Sequence, residues 1–446
     1  MTEKMKPSGI AWIGDIPAGW EVKKVKYVIQ NDADGIKVGP FGSALTNEVV
    51  SAEEGQYKIY GQANLIRKDF DYGDNFVTEE NYRRLINYEV LPDDIAVSMM
   101  GTIGKCSVVP HGIKPGIMDS HLIKIRLSNK MNPRFFEYVY ESCVVYEQLV
   151  VNSKGSIMNG LNSTIVKSVF LAVPLIDEQV EIADFLDTQC AKIDGVITDL
   201  EKQIETLQKY KKSLITEAVT KGLDRSVPMK DSGVEWIGDI PENWDCKKLK
   251  YIISEPLQYG ANEAGDDYRD DYPRYIRITD ITEENTLKDE GKLSLQPDIA
   301  APYILKNGDI LFARSGATVG KTFFYTADCG LAAFAGYLIR ARINPEMALS
   351  RFVYYSTLGV GYENWKNTVF TQATIQNIGA DKYAQFFVTL PKLTEQKSIV
   401  EYLDDKCVRI DDIIKNKQQQ LLAVEQHKKS LIYEYVTGKK RVTEVN

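Results

Sequence analysis

The sequence predicts an α+β chain: two mixed α/β modules, each followed by one long helix. The two helices are expected to pack as an antiparallel coiled coil with pseudo-two-fold symmetry. Three observations carry this expectation: one border segment occurs twice, one helical segment occurs twice, and the stretches between them differ. Internal repetition of this kind decides the architecture before any single element does. The border runs SGIAWIGDIPAGWEVKKVKYVI from Ser8 and SGVEWIGDIPENWDCKKLKYII from Ser232, 224 residues later. The helical segment runs VPLIDEQVEIADFLDTQCAKIDGVI from Val173 and LPKLTEQKSIVEYLDDKCVRIDDII from Leu390, 217 residues later. The same offset relates KKSLITEAVT at Lys211 to KKSLIYEYVT at Lys428, so no net insertion separates the two matches.

These borders divide the chain into a first module at 1–175, a helical region at 176–223, a second module at 224–391 and a helical region at 392–446. In the first module, residues 94–98 and 121–127 alternate as strands do, and 133–151 reads as a helix. In the second, 275–281 and 309–314 read as strands and 345–358 as a helix. One short echo links the modules: Asp94-Ile95 leads to Gly101-Thr102-Ile103-Gly104-Lys105, and Asp309-Ile310 leads to Gly316-Ala317-Thr318-Val319-Gly320-Lys321.

The helical regions carry a heptad seam. Ile193, Leu200, Leu207 and Leu214 recur every seven residues, and Ile197, Ile204 and Ala218 form a second row interrupted by Lys211. The second copy has Ile410, Val424 and Leu431 in one row and Ile414, Leu421 and Tyr435 in the other, interrupted by Lys417 and Lys428. No proline falls between Pro174 and Pro228, and Gly222 and Gly438 stand where C-terminal caps belong. Gly195 is a weak point costing about 1 kcal/mol relative to alanine. A single helix over 177–222 would span about 65 Å. Its nearest partner is its own copy.

Composition narrows the function classes. The net charge is -8 and the pI near 5.3, so any nucleic-acid contact must come from local fields. Basic clusters occur at Lys23-Lys24-Lys26, Arg67-Lys68, Arg83-Arg84, Lys247-Lys248-Lys250 and Lys439-Lys440-Arg441, and each reads first as solvated surface. Six scattered cysteines and three histidines (His111, His121, His427) give no zinc-site spacing and fit reduced thiols in the cytoplasm. No apolar run reaches the roughly 18 residues of a membrane span, and residues 1–9 carry no signal-peptide core.

Several loops place glycine beside a hydroxyl, an amide or a cation. In the first module they offer Phe41 and Ser43, Gln62 and Asn64, Thr102 and Lys105, and Lys154 and Ser156; His121 opens a predicted strand. In the second they offer Tyr259 and Asn262, Arg314 and Ser315, Thr318 and Lys321, and Gln372 and Thr374, with Arg277 on a predicted strand. Glycine lets backbone approach phosphates, and Gln, Asn and Arg can pair with base edges. Plain turns use the same residues.

The WIGDIP-x-x-W border, the GDI…G…GK echo and the EQ-x-x-I-x-x-(F/Y)-LD helix entry resemble the specificity subunit of Type I restriction-modification enzymes over nearly the whole chain. The resemblance implies two target-recognition domains, each reading one half of a split, asymmetric site in double-stranded DNA, with the helices as spacer. It implies two methyltransferase subunits as partners and, where a restriction complex forms, two restriction subunits. It also implies no catalytic residue, metal or cofactor in this chain: S-adenosylmethionine, and magnesium with ATP, belong to the partners. Gln179, Asp187, Gln396 and Asp404 fall in the helix-entry motif and read as structural. The second module lacks a GPFGS loop and offers Tyr259-Gly260-Ala261-Asn262 instead.

Three rival readings are weaker. Gly316 to Thr322 looks like a phosphate-binding loop but has three residues between its glycines where four are needed. Chemistry on DNA by the chain itself finds no nucleotide-binding fingerprint, and Asp93, Asp94, Asp119 and Asp309 suit surface or turn roles. A coiled-coil scaffold with no DNA preference leaves the two unlike modules unexplained.

Overall fold

The computed structural model describes residues 4–30, 34–40, 42–45, 56–101, 103–153, 161–282, 284–316, 318–371 and 377–442. The chain forms two compact units, one of Met1–Leu200 with Gln419–Asn446 and one of Glu201–Gln418. The division cuts both long helices. Each unit therefore holds one module, the first half of the helix that follows it and the second half of the other helix.

In the first unit the strands used below are β1 (Met5–Pro7), β2 (Asp15–Pro17), β3 (Glu21–Lys24), β4 (Ile36–Val38), β5 (Tyr57–Tyr60), β6 (Ile95–Ser98), β7 (Cys106–Val108), β8 (Gly116–Met118), β9 (Leu122–Ile125) and β10 (Phe170–Val173). The helices used below are α1 (Pro133–Glu141), α2 (Ser163–Ser168) and α3 (Ile176–Lys221). An antiparallel sheet runs β4-β9-β6-β7, β5 pairs parallel to β8, and β3 pairs antiparallel to β10.

The second unit repeats this plan with β11 (Asp245–Lys248), β12 (Gln258–Tyr259), β13 (Arg274–Ile276), β14 (Ile310–Ala313), β15 (Thr322–Phe324), β16 (Ala332–Phe334), β17 (Leu338–Ala341) and β18 (Phe387–Leu390). Its helices are α4 (Ser350–Ser356), α5 (Ala380–Tyr383) and α6 (Leu393–Val436). The sheet runs β12-β17-β14-β15, again antiparallel, with β13 parallel to β16 and β11 antiparallel to β18. Modules that differ in sequence thus share a topology.

The helix expected over 133–151 is two helices, broken at Ser142. That residue is buried and extended, and its hydroxyl donates to the Val139 carbonyl at 2.6 Å, competing with the helical ladder. Asn132 starts α1 by accepting from the Phe135 N–H at 3.0 Å, with Pro133 at the first helical position.

The heptad seam is used within both units. In the first, Phe185 of α3 lies 4.5 Å from Tyr435 of α6, and Asp194 of α3 pairs with Lys428 of α6 at 2.6 Å. Residue numbers rise on one helix as they fall on the other, so the packing is antiparallel. In the second unit Lys211 of α3 pairs with Asp411 of α6 at 2.6 Å. This is the same contact with the copies exchanged. It explains why Lys211 and Lys428 interrupt apolar rows: each reaches an aspartate on the facing helix.

The shared helix-entry residues bolt each module to its helix. Gln179 and Gln396 are fully buried. Gln179 accepts from the Asn132 N–H at 2.8 Å and donates to the Pro174 carbonyl; Gln396 accepts from the Leu349 N–H at 2.8 Å and donates to the Pro391 carbonyl. Asp187 takes Arg134 and the Tyr138 hydroxyl, and Asp404 takes Arg351 and the Tyr355 hydroxyl. The border tryptophans close the helix ends. Trp20 packs on Gly438 past α6, and Trp244 on Gly222 past α3. Both glycines have φ near +70°, the left-handed cap conformation.

Candidate nucleic-acid interface

The repeated echo is a tight hairpin, joining β6 to β7 in the first module and β14 to β15 in the second. Gly101, Gly104, Gly316 and Gly320 all have φ between +74° and +85°. No helix follows either turn, so the phosphate-loop reading fails on topology. The aspartate ahead of each hairpin is not on the surface either. Asp94 and Asp309 are 1% exposed. Each receives a two-pronged arginine: Arg126 on Asp94 at 2.7 and 2.9 Å, Arg342 on Asp309 at 2.8 and 2.7 Å. Each also accepts a backbone N–H three residues upstream, from Leu91 and Lys306. The turn role holds and the surface role does not.

In the first module, loops meet around Asp119. Building a Cβ on Gly39 would place it 1.8 Å from the Asp119 carbonyl oxygen, and on Gly61 2.7 Å from its carboxylate. These glycines make room for Asp119 of their own module, which corrects the expectation that they leave backbone open for phosphates. Burial pushes the Asp119 carboxyl above its ordinary pKa, partly offset by the backbone N–H of His121, which donates to it at 2.8 Å. His121 itself is exposed, its ring Nδ1 3.6 Å from Asp119. Gln62 opens a short helix and donates its amide to the Ser98 hydroxyl and the Met100 carbonyl. Lys105 lies 3.6 Å from Glu141.

Asn64 must be corrected as a DNA contact. It is 4% exposed; its side chain accepts from the Gly61 N–H and donates to the Asp69 and Tyr72 carbonyls. Phe41, Thr102, Lys154 and Ser156 lie outside the described residues, as does the side chain of Ser43.

In the second module four loops converge. The Arg314 guanidinium lies over the Tyr259 ring, 4.9 Å from its centroid, and the Tyr259 hydroxyl accepts from the Ala380 N–H at 2.9 Å. The Arg314 backbone is clamped on both sides, donating to the Tyr337 carbonyl and accepting from the Ile378 N–H. Ser315 bridges to Asn377. Gly336 has no room for a side chain because Asn262 Oδ1 would lie 2.0 Å from its Cβ. Tyr259, Asn262, Arg314 and Ser315 thus share one edge. Tyr337, 62% exposed beside them, was missed, since a lone tyrosine between two strands carries no sequence signal.

Among the described residues Arg314 has no carboxylate partner, unlike Arg277, which forks onto Asp280 and donates to the Gly291 carbonyl. Arg277 is therefore committed within its module. Lys321 is corrected too: its amine is buried. Thr318 sits within the hairpin turn, accepting from the Lys321 N–H through its carbonyl. Gln372 and Thr374 lie outside the described residues. Among the described residues no cluster of His, Cys, Asp or Glu could hold a metal ion, and no helix is long and apolar enough to cross a membrane.

Two edges with unlike side chains thus stand on one duplicated frame. The family model for the Type I restriction modification DNA specificity domain matches residues 19–206 and again 241–423. The chain belongs to this family. Among its relatives, the MjaVIII specificity subunit of Methanocaldococcus jannaschii is 25% identical over 75% of this chain and 76% of its own length. The putative MjaX specificity subunit of the same organism is 24% identical over 96% of both. The EcoBI specificity subunit of Escherichia coli is 26% identical over 79% of this chain and 74% of its own length. A solved chain from a Type I restriction-modification assembly shares the fold at a TM-score of 0.67 and 15% identity, covering 95% of this chain and 99% of that one. As a Type I specificity subunit, the chain serves DNA recognition, and the scaffold reading is not favoured.

Proposed function

We propose that the chain reads a split, asymmetric site in double-stranded DNA, one half per module, and directs adenine methylation by two methyltransferase subunits. In a restriction complex it directs cleavage by restriction subunits as well. It supplies no catalytic group; S-adenosylmethionine, magnesium and ATP are handled by the partners, in the cytoplasm. The observation that carries this is the contrast between frame and edges. The frame contacts at Gln179, Asp187 and Trp20 recur at Gln396, Asp404 and Trp244, whereas the edges, although their backbones are clamped alike at Met99 and at Arg314, carry unlike side chains: Gln62 and His121 on one, Tyr259 and Arg314 on the other.

Arg314 is the side chain best placed to read a base. Its backbone is held on both sides, its guanidinium plane is supported by Tyr259, and no carboxylate among the described residues occupies its fork. A guanidinium in this state suits the O6 and N7 acceptors of guanine in the major groove. Arg314→Ala is expected to cost about 1–3 kcal/mol of discrimination at one base pair of one half-site and to leave the other half-site unchanged. Competition binding by the assembled complex, with each position of the site varied in turn, measures this. Unaltered preference at every position would remove Arg314 from the readout.

A further inference from the structure

The repeated border contains a surface that the frame does not use. After β3 the chain turns through Val25–Tyr27, and after β11 through Leu249–Tyr251. Val25 and Leu249 are buried, while Tyr27 is 63% and Tyr251 61% exposed. The lysines match one for one. Lys24 lies over Phe170 and Lys248 over Phe387; Lys26 lies over Tyr27 and Lys250 over Tyr251, all at 4.7–5.3 Å. Among the described residues none of these four lysines has a carboxylate partner, although the chain as a whole carries a net charge of -8. The nearby acids are engaged: Glu21 pairs with Lys23, and Glu255 with Arg340 and Arg342.

The surface is continuous with the reading edge of its own module. In the second unit the Lys250 N–H donates to the Ala384 carbonyl at the end of α5, and the Ala380 N–H at its start donates to Tyr259. In the first, the Val25 N–H donates to the Val169 carbonyl just past α2, and the Leu161 N–H just before it donates to the Met99 carbonyl. One short helix thus has the reading edge at one end and the lysine–tyrosine turn at the other. A helix of four to six residues rises about 6–9 Å, or two to three base-pair steps of about 3.4 Å.

We infer that the Lys24-Lys26-Tyr27 and Lys248-Lys250-Tyr251 surfaces grip the DNA backbone beside each half-site, independently of its sequence. This rests on the DNA-reading function proposed above and assigns contacts to residues outside the variable edges. The physical reason is one of matching. A surface that is the same in both modules and that the frame leaves uncovered suits a partner that is the same at both half-sites, and its lysines match the phosphate chain of DNA in charge. Lysine ammoniums held on aromatic rings and an exposed phenol are donors suited to phosphate oxygens.

The test uses the complex purified with its methyltransferase subunits, and duplexes with and without its site. In the K24Q/K26Q/K248Q/K250Q variant, affinity for both duplexes should fall by a similar factor. The slope of log affinity against log salt should become shallower by about 3–4, near 0.9 for each phosphate that no longer meets a lysine. K26Q/K250Q, which changes only the two lysines beside the exposed tyrosines, should show about half of this decrease, and lysine-to-arginine variants should keep the slope. An unchanged salt slope in a folded complex overturns the inference. So does dissociation of the methyltransferase subunits on purification, which would assign the surface to a protein partner. If the unmodified complex shows no preference between duplexes while the slope still falls in the variant, the backbone grip stands and the sequence-reading proposal fails.

Discussion

Replacing Asp309 with alanine is expected to destabilise the second unit by about 2–3 kcal/mol, because it strips the two-pronged acceptor from a largely buried arginine, leaving it Glu255 as its one carboxylate, and unpairs the Lys306 N–H. Asp309 is 1% exposed and holds both prongs of Arg342, while its second oxygen also satisfies the Lys306 N–H. A guanidinium does not deprotonate in proteins, so Arg342 cannot escape by neutralising. Removing both partners together, as in D309L/R342M, should recover part of the loss: apolar groups of similar size replace the buried pair and Glu255 keeps Arg340, while the Lys306 N–H still lacks its acceptor. Urea unfolding of the single and double variants measures the difference. A single-variant loss below about 1 kcal/mol, the level of an exposed pair, would show that the Asp–Arg pair does not organise the sheet. Asp94 with Arg126 should behave alike in the first unit.

Trp20→Ala carries the second large effect, about 3–5 kcal/mol for an emptied indole site. Trp20 is 1% exposed, packs against the Gly438 cap at the end of α6 and donates to Glu178 at 3.1 Å. The consequence should reach beyond the border. Hydrogen exchange should accelerate over the last turns of α6, residues 425–436, as well as around β1 and β2. Acceleration confined to residues 5–25 would mean that the tryptophan stabilises its own hairpin and does not close the helix.

The frame was legible because it is written twice. Two borders at one offset and two helical segments at another specify a duplicated unit, and the heptad rows specify what the helices bury. Even the interruptions carried information: Lys211 and Lys428 spoil the apolar rows because each reaches an aspartate, at 411 and 194, that only the antiparallel partner supplies. The reading edges were far less legible, for a physical reason. Whether an amide or a guanidinium faces solvent depends on partners distant in sequence. Asn64 looks identical on paper whether it points at a base or ties Gly61 to Asp69 and Tyr72, and it does the latter. Arg277 and Arg314 are both arginines beside a strand, yet one is spent on Asp280 and the other lies on Tyr259. Gly39 and Gly61 looked like openings for phosphate, and the structure fills that space with Asp119.

Adenine methylation mapped across the genome, in cells with and without this chain, tests the central claim most directly. Removing the chain is expected to abolish methylation at one split motif, with two unlike halves and a fixed gap. An unchanged methylation map, in cells that express both the chain and its methyltransferase partner, would contradict the claim.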